Sequence, residues 1–230
     1  MRSWNAAVWL YLDRRILALF ILGFASGLPL LLVYSTLSFW LRQESISLTE
    51  IGWFSLAGTA YGFKFLWAPL VDHIRIPVLA ARLGQRRSWL LCAQVAVAAT
   101  ILALGATSPG EALTLTAFWA VALAFASATQ DIVVDAFRIE MLDDEEQGSG
   151  AANFVNGYRI GTLAAGAGAL IVADVYGWFW AYAAMAALMV LGMAVTLWLP
   201  EPLRLEAPES HVKIGGPGSR TRWSSRSESS

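Results

Sequence analysis

The chain has 230 residues, 57% of them hydrophobic and only 14% charged, with a formal net charge of −1. A soluble domain carries about 25% charged residues; here long apolar runs separated by short polar breaks account for the deficit, which is the pattern of repeated membrane spanning. A single cysteine, Cys92, excludes an internal disulfide framework, and with only two histidines an all-protein metal site has no basis. No phosphate loop, no nucleophile–base pair and no basic cluster interleaved with aromatics supports nucleotide hydrolysis, other enzyme chemistry or nucleic-acid binding, and no cofactor is implied.

Residues 1–15 read as a cytoplasmic N-terminal segment with Arg2, Arg14 and Arg15 before the first apolar run. That run, over about 16–41, is too long for a signal peptide, lacks an A-x-A cleavage site and is followed by further spans. It contains the small-residue pair Gly23 and Gly27 and then Pro29, which is expected to kink or locally open the helix. The second span, about 49–71, repeats the spacing at Gly58 and Gly62 and contains Lys64, with Tyr61 one turn earlier on the same face. A lysine this deep in an apolar run either reaches to the interface or serves a site.

The next connection is basic, with Arg75, Arg82, Arg86 and Arg87, and leads into a span over about 88–107. Ser108-Pro109-Gly110 marks a turn before the fourth span, about 112–138. Here Asp131, Asp135 and Arg138 fall at i, i+4 and i+7 on one stripe, with Gln130 beside them. Such a stripe suits cation binding, proton exchange or a plain ion pair between Asp135 and Arg138. A carboxylate removed from water favours its neutral form, as proton coupling requires. The fifth span, about 150–173, contains the pair Gly157 and Gly161 and also Arg159, which is expected either to pair with Asp131 or Asp135 or to hold an anionic group. The sixth runs over about 177–199, and the polar stretch 203–230 is expected to be a disordered cytoplasmic tail.

The segments are continuously apolar without period-two alternation, so the fold class is an all-α membrane protein with six transmembrane helices. The basic residues place both termini in the cytoplasm. Phe24-Ala25-Ser26 recurs as Phe125-Ala126-Ser127, and Asp72 and Asp174 close the second and fifth spans. That offset of about 101–102 residues suggests two inverted three-helix repeats.

Several blocks together resemble the AmpG muropeptide permeases of the major facilitator superfamily. They are Leu22-Gly23-Phe24-Ala25-Ser26-Gly27-Leu28-Pro29, Phe63-Lys64-Phe65-Leu66-Trp67-Ala68-Pro69-Leu70-Val71-Asp72, Arg86-Arg87-Ser88-Trp89, Ser127-Ala128-Thr129-Gln130-Asp131-Ile132-Val133-Val134-Asp135-Ala136 and Gly157-Tyr158-Arg159. The resemblance covers about 14–202 and implies one six-helix lobe, 16–202, of a proton-driven permease in the bacterial inner membrane. Such permeases import GlcNAc–anhydroMurNAc peptides for peptidoglycan recycling and, in some bacteria, β-lactamase induction.

On that footing Tyr61, Lys64, Gln130 and Arg159 are expected to meet the anionic glycopeptide. Asp131, Asp135 and Arg138 are expected to couple protons or form a buried ion pair. Asp72, Gly84, Arg86 and Arg87 are expected to form a stretched version of the superfamily's cytoplasmic gating motif. The family has a second set of helices. The chain is therefore expected to be a truncated or frameshifted product, or to work with a second six-helix half or by self-association. The alternatives are a non-transporting membrane protein and a permease for another anionic solute such as acetyl-CoA.

Overall fold

A computed structural model describes residues 13–202, apart from the side chain of Ala60. Arg2, Arg204 and the expected disordered tail lie outside the described residues.

Helix α1, Arg14–Gln43, begins where the Asp13 carboxylate accepts the Arg15 backbone N–H at 2.7 Å. An acceptor at this position serves one of the N–H groups that have no partner inside the helix. Three residues after Pro29 the helix widens into a π turn over Leu32–Thr36, the local opening expected from the proline.

The second span differs from expectation. Instead of one helix over 49–71, the chain forms three short helices: α2, Leu48–Phe54; α3, Thr59–Phe63; and α4, Ala68–His73. Tight 3₁₀ turns over Ser55–Gly58 and Lys64–Leu66 separate them. A Ser47–Glu50 capping box starts α2, but Gly52, Gly58, Gly62 and Pro69 then weaken every following turn. Little packing compensates, because Trp53, Phe65 and Leu66 are all more than 60% exposed.

After α5, Pro77–Leu83, come α6, Gln85–Gly105; α7, Leu113–Met141; α8, Gln147–Tyr176; and α9, Trp178–Trp198. With α1, these are the five described helices long and apolar enough to cross a membrane, each within about three residues of its expected span. Helix α8 carries its own π turn over Ala164–Gly168.

The core forms around α1. About 67% of its apolar window is buried, against 17% for α8. The two small-residue pairs meet each other. A Cβ on Gly23 or Gly27 would strike the Phe154 or Tyr158 carbonyl, and one on Gly157 or Gly161 would strike the carbonyl of Phe20 or Phe24. Only glycine allows this backbone-to-backbone approach. Further along, the two π turns are joined by the Thr36 hydroxyl donating to the Ala165 carbonyl at 2.7 Å.

Two helices, the third and sixth of the expected spans, follow the same punctuation. Gly84 (φ 89°, ψ 169°) precedes the 21-residue α6, and Gly177 (φ 89°, ψ 166°) precedes the 21-residue α9.

Candidate functional site

The expected charged stripe of α7 is half-buried and faces the broken second span. Lys64, in the 3₁₀ turn between α3 and α4, brings Nζ to 3.7 Å from Asp135 Oδ2. Arg138 Nη2 stands 3.8 Å from the other oxygen of the same carboxylate. Both separations exceed hydrogen-bond distance, so Asp135 lies between two cations without being locked to either. The Arg138 guanidinium lies 5.7 Å from the centre of the Phe154 ring on α8, and its Nε is buried without a partner. Asp131, one turn earlier, lies within electrostatic reach of Lys64 and Asp135.

Tyr61 and Tyr158 also lie within electrostatic reach of Asp131. The Tyr61 hydroxyl approaches Ser127 but makes no hydrogen bond of ordinary geometry. Trp67 fixes the lysine-bearing turn from the other side. Its indole N–H donates to Thr129 Oγ1 at 3.2 Å, and its ring stacks on Phe125 with centroids 4.6 Å apart. Two cations, two carboxylates and two phenols thus share one membrane-embedded patch. It can exchange an ion-pair partner for an anionic group at little cost, because no pair in it is tight.

A second polar assembly closes the arginine-bearing end. Arg86 donates from Nη1 to Asp72 Oδ1, and from Nε (3.0 and 3.1 Å) and Nη2 (2.6 Å) to both oxygens of Glu140. Gln85 donates to the Asp72 carbonyl at 2.7 Å, and the Trp89 indole to the Ile74 carbonyl at 2.7 Å. A forked guanidinium bridging two carboxylates is among the strongest side-chain arrangements, and here it ties α4, α6 and α7 together.

Known proteins resemble the chain in sequence. The chain is 49% identical over 185 residues, 80% of its length, to the anhydromuropeptide permease of Escherichia coli K12, of which it covers 37%. It is 42% identical over 171 residues, 74% of its length, to a Rickettsia felis protein named as transporter AmpG 4, of which it covers 41%. A family profile described as acetyl-coenzyme A transporter 1 matches residues 15–113. Over most of its own length the chain is similar to AmpG permeases. It spans about two fifths of the length of these relatives and is, in its described part, an all-α multi-pass membrane protein.

Two residues expected to meet the glycopeptide lie outside the charged patch. Gln130 is 1% exposed and turns into the α1 interface, where Nε2 donates to Ser26 Oγ at 3.0 Å, so it braces α1 instead of lining the charged patch. Arg159 makes no ion pair with Asp131 or Asp135. Its exposed side chain lies two residues from Gly157, which packs on α1, so it falls on the opposite side of α8. Sequence reasoning also missed Glu140, Trp67 with Thr129, and Glu201. The signal for Glu140 was available: it is the one acidic residue in the last turn of a 29-residue helix, level with the basic connection.

Proposed function

We propose that this chain is the N-terminal lobe of a proton-coupled AmpG permease that imports anhydromuropeptides across the bacterial inner membrane. In this reading the arginine-bearing end and both termini are cytoplasmic. The observation that carries it is the loose Lys64–Asp135–Arg138 grouping beside Asp131, held inside a lobe 49% identical to an anhydromuropeptide permease. A muropeptide carries carboxylates, and a carboxylate entering this patch replaces Asp135 as the partner of Lys64 and Arg138. Asp131 and Asp135 are then the groups on which a proton enters and leaves. Arg159, exposed on α8, meets solute or a facing lobe. Asp72, Gly84, Arg86 and Arg87 gate the cytoplasmic end. Alternating access requires a second wall, supplied by another six-helix half or by self-association.

The test is uptake of radiolabelled GlcNAc–anhydroMurNAc-tetrapeptide by cells lacking their own permease, with this chain expressed alone and with a C-terminal half from a relative. Uptake is expected only with both lobes, and Lys64→Ala and Asp131→Asn are expected to abolish it. Uptake unaltered by either substitution overturns the site. The profile match over 15–113 favours one competing solute, acetyl-CoA. Uptake of labelled acetyl-CoA, with none of labelled muropeptide, would replace the substrate while keeping the carrier.

A further inference from the structure

The gating residues are organised by a carboxylate that the motif does not include. Glu201 lies between Pro200 and Pro202, just beyond the end of α9. Its two oxygens accept the backbone N–H groups of Arg86 at 2.7 Å and Arg87 at 3.0 Å. These are among the first N–H groups of α6, which no intrahelical carbonyl can serve, and they sit at the positive end of the helix dipole.

The favour is returned. Arg87 donates from Nε to the Thr196 carbonyl at 3.0 Å and from Nη2 to the Leu197 carbonyl, both among the last of α9. Each helix end therefore supplies the side chain that caps the other. Gly84 makes the approach possible, because a Cβ there would strike the Glu201 carboxyl. The flanking prolines keep Glu201 out of a helix and restrict where its carboxylate can point.

Arg86 sits at the junction. Its backbone is held by Glu201 from α9, while its side chain is held by Asp72 from α4 and Glu140 from α7. Rotating the guanidinium away from either carboxylate, or withdrawing α9, disturbs the other contacts of the same residue.

We propose that Glu201 is the positioning residue of this gate, so that the ends of the second, third, fourth and sixth spans separate together and not one at a time. The inference rests on the gating role proposed for Asp72, Gly84, Arg86 and Arg87. Glu201 touches no solute and acts only through Arg86 and Arg87.

The test uses the full chain in lipid nanodiscs with Cys92→Ser and a reporter, Ser88→Cys. Ser88 is fully buried one residue past Arg87, and the replacement is nearly isosteric. Modification by a water-soluble maleimide then reads the opening of this end. Arg86→Ala and Glu201→Ala are each expected to raise the labelling rate roughly tenfold by shifting a local opening equilibrium, and the double variant to label no faster than Arg86→Ala alone. Glu201→Gln, which keeps shape and loses charge, is expected to raise the rate by a smaller factor and serves if Glu201→Ala does not fold.

Labelling in both Glu201 variants at the unsubstituted rate overturns the proposal. So do effects that multiply in the double variant, as independent sites do, because Glu201 is then only a local cap. A response to Arg86→Ala without one to Glu201 removes this inference alone. No response to Arg86→Ala removes the gating reading and this inference with it.

Discussion

The first and second spans are both apolar, both contain a small-residue pair and both contain a proline, yet they fold differently. Helix α1 runs from Arg14 to Gln43 as one piece, and its glycines are filled by the backbone of α8. The segment from Leu48 to His73 breaks into three short helices, and a Cβ on Gly62 would meet nothing within 4 Å. The difference lies in the partner and not in the motif. On α1 a second glycine pair stands opposite the first and makes a packing surface; in the second span Gly58 makes room only for the Tyr34 ring, and Gly62, with nothing against it, simply costs helix stability. The interrupted segment is also the one that carries Lys64. A 3₁₀ turn holds the lysine 3.7 Å from Asp135 on α7.

The contrast is broken most severely at α1. Gly157→Leu drives a branched side chain into the Phe20 carbonyl and forces the two helices apart. Its cost is expected to exceed about 4 kcal/mol, in the range where core disruption is diagnostic. Folded monomer should be absent in detergent size-exclusion chromatography. Arg86→Ala comes next, since it leaves Glu140, with only 12% of its side chain exposed, without its partner. A loss of about 3 kcal/mol is expected for breaking such a pair, read as a lowered midpoint in denaturant titration.

Thr36→Val removes the hydroxyl that joins the two π turns and leaves the Ala165 carbonyl unserved, for about 1–2 kcal/mol. Thr36→Ser should restore most of it. Gly62→Ala is the smallest and has the opposite sign. With open space for the methyl group, it should stabilise α3 by up to about 1 kcal/mol. If it destabilises the protein instead, the second span is packed against something these residues do not show, and the comparison fails.

Sequence reasoning reached the five unbroken helices because an apolar run of about twenty residues bounded by turn residues has few alternatives. It also placed Asp131, Asp135 and Arg138 on one face, because that follows from helical periodicity alone. It put a helix across 49–71 because hydropathy does not register the cumulative weakness of three glycines and a proline. That Gln130 and Arg159 lie outside the charged patch has a related reason. Periodicity says which residues share a face, but only packing says what that face meets, and Ser26 lies 104 residues from Gln130. Glu140 and Glu201 were passed over because their partners lie 54 and 115 residues away, and a lone glutamate near a helix end has an adequate local explanation.

The backbone at Gly84 and Gly177 has a practical meaning. Both sit at a positive φ with an extended ψ, a conformation almost closed to residues with a side chain. Each is followed by a helix of 21 residues. These two positions are natural seams: a chimera that exchanges Gln85–Gly105 for Trp178–Trp198 across them keeps chain length and entry angle unchanged. Whatever such a chimera then loses must come from side chains, which makes the two glycines the places to cut when asking what each 21-residue helix contributes.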